Sequence, residues 1–177
     1  MKNYKEYLLV VGVIILGIIC GILSKAGDVA GQGDFIGDTL YAFGCVSTGF
    51  FIWVVICTLI SMLSKNQFWA SVNVFIFLSA MILAYYLYSN FIVDYFSWSA
   101  VKFWIVMLIP ASISGAIVWN MKTNKLLKYL VLVIGTLVFV YDILAVIFYY
   151  PIAAIMEVVL YGMFIALTLL SKRFIKA

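Results

Sequence analysis

Histidine is absent from this 177-residue chain, proline occurs twice, cysteine three times, and charged residues make up only 10% of it. Each shortage excludes something. Without histidine, His-ligated zinc hydrolysis, Ser-His chemistry and Cys-His peptidase chemistry all lose an essential partner. The three cysteines, Cys20, Cys45 and Cys57, lie in apolar runs and form no CxxC pair, so they read as small buried hydrophobes. A disulfide between Cys20 and Cys45 is the one pairing whose depths agree. So low a charge content leaves no room for a separate soluble domain or a long solvated tail. No catalytic constellation, metal-ligand set or cofactor motif stands out.

What remains is apolar: 67% of the residues are hydrophobic, against roughly 45–50% in an ordinary globular chain. The expected fold class is all-α, a single polytopic membrane domain over residues 1–177 lying in a lipid bilayer. Runs near the ~20 residues that cross a bilayer give six spans: Tyr7 to Ser24, Tyr41 to Ser64, Phe68 to Ser89, Trp98 to Asn120, Leu127 to Tyr150 and Pro151 to Ser171. The last two form one continuous run. It is cut at Pro151, because proline has no N–H and suits the first turn of a new helix. Lys2 and Lys5 ahead of the first run, with Ser24-Lys25-Ala26 after it, give it some features of a signal peptide. Its apolar core exceeds the usual ~7–15 residues, so it is kept as a span.

Loop charges orient the bundle. Nine of the eleven basic residues (Lys2, Lys5, Lys65, Lys122, Lys125, Lys128, Lys172, Arg173, Lys176) fall on one side, facing Asp28, Asp34, Asp38 and Asp94 on the other. Both termini are therefore expected in the cytoplasm of a multi-pass, bacterial plasma-membrane protein. The net charge of +4 follows this sidedness and does not imply nucleic acid. Trp53, Trp69 and Trp119 are placed toward the inner interface as belt residues. Seven of the twelve tyrosines, Tyr41, Tyr85, Tyr86, Tyr88, Tyr95, Tyr149 and Tyr150, crowd the outer end. They form either an aromatic belt or the wall of an outward pocket for a flat organic ligand.

Ionisable residues inside a span are expensive in lipid, so each is read either as a protonated or paired structural group or as part of a ligand or cation site. Asp142 and Glu157 flank the Tyr-Tyr-Pro turn, and at 1.5 Å per residue both fall about 10–12 Å below the outer end. Two carboxylates at one depth in a low dielectric do not both ionise cheaply, so a proton or a cation is expected between them. Lys102 could reach the same level by extending its stem. The candidate ligand-binding set is Asp142, Glu157, Lys102, Tyr141, Tyr85, Tyr86 and Tyr149. If Asp142 faces a pocket, Asp142→Leu should be tolerated structurally. The connection from Lys25 to Leu40, with four glycines and Asp28, Asp34 and Asp38, reads as a flexible linker or as a lid over the pocket. It lacks the ligand spacing of an EF-hand. Pro110, followed by Ser112, Ser114 and Gly115, predicts a kink whose freed backbone is satisfied by the hydroxyls or by neighbouring helices. Gly17 and Gly21, extended by Gly12, form a face that packs either inside the bundle or on a partner.

Tyr141-Asp142 and Gly31-Gln32-Gly33-Asp34 resemble the paired motifs of intramembrane aspartyl proteases. In that family the Tyr-Asp element comes first and both aspartates lie in the membrane. Here the order is reversed and Asp34 falls in a polar loop, so no catalytic role is carried over. In size, span number, long first outer loop and aromatic outer end, the chain resembles the S components of energy-coupling-factor vitamin transporters. That resemblance implies a small organic ligand bound from outside, with permease and ATPase subunits as partners. The family's alanine-x-x-x-alanine docking face is absent, with Gly17 and Gly21 at that spacing instead. Separately, Phe51 to Tyr88 resembles a family of small multi-spanning proteins of Gram-positive bacteria, which implies no particular activity.

Two functional readings follow: a solute-binding or uptake component with an outward aromatic pocket, and a non-transport accessory or regulatory protein with no ligand of its own. The topology is testable on its own. In a cysteine-free background, cysteines near Asp34 and Asp94 should label from outside, and those near Lys65, Lys125 and position 176 only after the membrane is broken. External labelling at 176 would remove the cut at Pro151.

Overall fold

The computed structural model describes residues 4–31, 33–94, 98–148 and 150–175. Tyr95, Tyr149, Lys2 and Lys176 lie outside the described residues. Among the described residues there are seven α-helices and no strand: α1 (Tyr4–Asp28), α2 (Phe35–Thr48), α3 (Phe51–Leu63), α4 (Gln67–Phe91), α5 (Trp98–Asn120), α6 (Lys125–Val146) and α7 (Pro151–Leu169), followed by a short 3₁₀ helix, Leu170–Ile175. Five of the helices are long and apolar enough to cross a membrane, and α2 with α3 makes a sixth crossing if the pair is one span. The fold is thus the expected all-α bundle.

Most helix starts are dictated locally. Asn66 accepts from the Trp69 N–H at 2.8 Å, and Asn124 from the Leu126 and Leu127 N–H groups at 2.9 and 3.3 Å. Asp34 accepts from Gly37 N at 3.0 Å to begin α2, while Pro151 opens α7 at the predicted cut. These side chains satisfy donors that the first helical turn leaves bare.

The predicted span from Tyr41 to Ser64 is not one helix. It breaks at Gly49–Phe50, where α2 and α3 meet at 75°. The pair still runs the length of the bundle. At one end the Tyr41 hydroxyl donates to that of Tyr150 at 2.9 Å, and at the other the Ser64 carbonyl accepts from Trp119 Nε1 at 2.9 Å. The long first loop is also shorter than the sequence suggests. Asp28 closes α1, Asp34 caps α2, and Asp38 in the first turn of α2 accepts from Gly33 N at 3.2 Å. Only Val29 to Asp34 connect the helices. One of the four glycines serves packing: a Cβ on Gly27 would stand 2.7 Å from the Cα of Gly44 in α2.

Helix α3 is the centre, touching α2, α4, α5, α6 and α7. Its Phe51, Val55, Thr58, Ser61 and Met62 are buried. Outward faces are apolar instead of polar: Ile105, Val106, Ile109 and Ile113 on α5, and Val133, Ile134, Leu137 and Leu144 on α6, are exposed. A surface of this kind fits lipid and not water. Lysines 65, 122, 125, 128 and 172 fall at the end where α3 stops and α4 starts. Of these, Lys122 is buried, lies over the Trp119 ring at 5.1 Å, and burial lowers its pKa.

Two further expectations change. Helix α5 is continuous through Pro110, and the hydroxyls of Ser112 and Ser114 bond the carbonyls of Leu108 and Pro110, not the Val106 carbonyl that proline frees. Trp53 is no belt residue; it is buried in the first turn of α3, and Nε1 donates to the Ser47 carbonyl at 2.9 Å. The glycine face of α1 packs inside the bundle, on α4. A Cβ at Gly17 would meet the Phe77 carbonyl at 2.6 Å and the Ala80 Cβ at 2.9 Å, and one at Gly21 the Ala84 Cβ at 3.0 Å, whereas Gly12 faces open space. Gly21→Val should therefore destabilise the bundle by about 1–3 kcal/mol through overpacking, with Gly12→Val close to neutral, as measured by denaturation in mixed micelles.

Candidate functional site

The break in the second span creates a problem that the chain solves from a distance. A helix beginning inside an apolar bundle leaves bare N–H groups with no water to satisfy them. Phe50 stands at the N-cap of α3 and offers no capping side chain. Asp142, from α6, supplies one: its Oδ2 accepts from the Phe51 N–H at 2.6 Å. The carboxylate meets the positive end of the α3 dipole, the orientation that stabilises an anion. Gly49 makes the approach possible, since a Cβ there would stand 2.6 Å from Asp142 Oδ2. On the α2 side, the Ser47 and Thr48 hydroxyls donate to the Gly44 carbonyl at 3.0 and 2.9 Å.

Glu157, on α7, lies within electrostatic range of Asp142. Asp142 is 4% exposed and Glu157 1%, and Glu157 Oε2 has no hydrogen-bond partner among the described residues. The structure thus brings together the two carboxylates singled out by depth. It does not bring the rest of the candidate set to them. Lys102 stays on the exposed face of α5, and Tyr141, at 69% exposure, points away from the core on α6.

Tyr85 and Tyr86 belong to a different place. With Asp28 and Ser24 of α1, Ser47 and Thr48 of α2, Trp53 of α3 and Trp104 of α5, they line a cleft of about 130 Å³. The Tyr85 hydroxyl donates to Asp28 Oδ2, and Lys25 Nζ lies 5.2 Å from the Tyr85 ring centroid. Ser24 is buried and its Oγ has no partner among the described residues. Beside the cleft is a larger cavity of about 240 Å³, bounded by α3, α4 and α5 and lined by Cys57, Leu78, Met107 and Pro110 among others. Trp53, Ile82 and Trp104 line both spaces. Asp34 and Asp38 line neither, being engaged at the start of α2. The cysteines are free thiols, and no group of three metal-ligating side chains occurs among the described residues.

Sequence reasoning missed Gly49, Ser24, Trp53 and Trp104. Gly49 carried a faint signal, the only glycine in the apolar run from Cys45 to Ser64. Trp53 reads as a belt residue, Ser24 only as part of the Ser24-Lys25-Ala26 stretch, and Trp104 carries no signal of its own.

Fold and site together define a multi-pass helical bundle whose central helix is broken and capped by a carboxylate from another helix. No family profile, curated protein or solved structure matches the chain. The capping role revises the expected tolerance of Asp142→Leu. Leucine leaves the Phe51 N–H buried and unpaired, so it should cost about 1–3 kcal/mol or more, whereas Asp142→Asn keeps an acceptor oxygen and should lose less than half as much. Thermal unfolding of the two purified variants compares them directly.

Proposed function

We propose that this chain is a solute-binding component of a membrane uptake system, holding a small organic molecule in the cleft between α1 and α5. One observation carries the reading. A cleft with hydroxyl and carboxylate groups at its mouth adjoins an apolar cavity, and two indole side chains, Trp53 and Trp104, border both. Sites for small ligands combine an apolar wall with a few placed polar groups in this way.

The chemistry of the lining describes the ligand. Trp53 and Trp104 suit a flat or aliphatic body. Ser24 Oγ, buried without a partner among the described residues, offers a hydrogen bond. Asp28 favours a donor or a cationic group. In the expected topology the cleft mouth faces outside the plasma membrane, beside the acidic connection between α1 and α2. Uptake against a gradient would draw on partner permease and ATPase subunits.

Thermal unfolding of the purified protein against a panel of vitamins and aromatic metabolites tests the proposal. A true ligand at a hundred times its Kd should stabilise the fold by about 2.7 kcal/mol. Ser24→Ala should weaken that ligand roughly fivefold to tenfold, the loss of one hydrogen bond of ~1 kcal/mol. No response from any member, with a vitamin-binding transporter subunit responding in parallel, would overturn the reading.

A further inference from the structure

The carboxylates at the α2–α3 break lie outside the cleft and leave a charge unaccounted for. Asp142 has compensation, from the Phe51 N–H and from the positive end of α3. Glu157 has none. It is 1% exposed, the charge near it is another carboxylate, and its Oε2 meets no donor among the described residues. The basic groups of that half of the bundle are elsewhere: Lys25 lies over the Tyr85 ring, and Lys102 is exposed on α5. A buried carboxylate without a counter-charge is unfavourable, and the remaining demand is for about one positive charge.

The surroundings specify what kind. The available ligands are hard oxygens, those of the two carboxylates; at the end of α2 the Gly44, Val46 and Ser47 carbonyls already accept from the Ser47 and Thr48 hydroxyls, the Gly49 N–H and the Trp53 indole. Tyr150, just before α7, meets Tyr41 of α2, and Tyr161 of α7 meets Phe51 at the start of α3, which brings Glu157, between them, to the level of the junction. Soft or nitrogen-preferring metals have no ligand here. A divalent ion would exceed the charge left once α3 has offset part of Asp142.

We propose that Asp142 and Glu157 form a binding site for a monovalent alkali cation at the helix break. The site is separate from the cleft and does not depend on what the cleft binds. An ion there joins α6 and α7 to the α2–α3 junction, so its occupancy sets how firmly the bent span is held.

The test uses the full chain in detergent at fixed pH and ionic strength, with sodium or potassium chloride replaced stepwise by choline chloride. The expected result is a saturable rise in Tm with sodium or potassium and none with choline. Glu157→Gln should abolish the saturable rise while unfolding, without alkali cation, at or above the wild-type temperature, because the amide brings its own donor. Ser24→Ala, in the cleft, should leave the response intact. A Tm indifferent to both cations, with stability following pH alone, would mean that a proton neutralises the pair and would overturn the proposal. So would loss of the cation response in Ser24→Ala. Should Glu157→Gln fail to fold, tryptophan emission of the wild-type chain gives a second reading, since Trp53 spans the break to Ser47. A saturable change with sodium or potassium but not choline supports the site, and a flat titration with both rejects it.

Discussion

A single hydrogen bond, from the Phe51 N–H to the carboxylate of Asp142, permits the central helix to begin in the middle of an apolar bundle. In lipid every backbone polar group has to be satisfied by protein, so a break in a span is tolerated only where something else completes the lost pairing. Asp142 completes it at the start of α3, the Ser47 and Thr48 hydroxyls and the Trp53 indole help at the end of α2, and Gly49 leaves room for the carboxylate. The break in turn places Trp53 at the border of two cavities and Glu157 beside an anion. Cleft, cavity and carboxylate pair all descend from the same bend.

Around that centre, close packing is achieved by small residues and not by large ones. Gly17 and Gly21 bring α1 against Ala80 and Ala84 of α4, and Gly27 meets Gly44 where α1 crosses α2. Lipid tails are as apolar as leucine, so helices in a membrane gain from close backbone approach and from shape more than from burying apolar area. Gly135 shows a third version: it receives the ring of Phe164 from α7. The bulky aliphatic residues are sent outward, and their exposure on α1, α5, α6 and α7 is the complement of this packing.

Much of the fold was legible because it depends on local signals. Run length and proline placement yielded the helix starts and the division at Pro151, and depth arithmetic across the hairpin paired Asp142 with Glu157. The break at Gly49 was not legible, because the apolar run on either side of it is continuous and its cap lies in another helix. The α1–α2 connection was misread for a related reason. Glycine and aspartate there suggest flexibility, yet Asp34 is a cap, and Gly27 and Gly44 are contact points. Lys102 and Tyr141 had the right depth but the wrong helical face, which depth alone does not determine. Of the aromatic outer residues, Tyr85 and Tyr86 reach the cleft, while nothing in the sequence marked Ser24, whose hydroxyl has no partner among the described residues, as a cleft residue.

The two ends of α3 are closed by groups that lie far downstream. Asp142 follows Phe51 by 91 residues, and Trp119, which holds the Ser64 carbonyl, follows it by 55. A chain synthesised and inserted from its N-terminus therefore carries its central helix through the membrane with the Ser64 carbonyl lacking this partner until α5 emerges and the Phe51 N–H until α6 does. The innermost element is among the first to be made and the last to be finished. During that interval a neighbouring lipid headgroup, water or an insertion factor has to stand in for the missing partners.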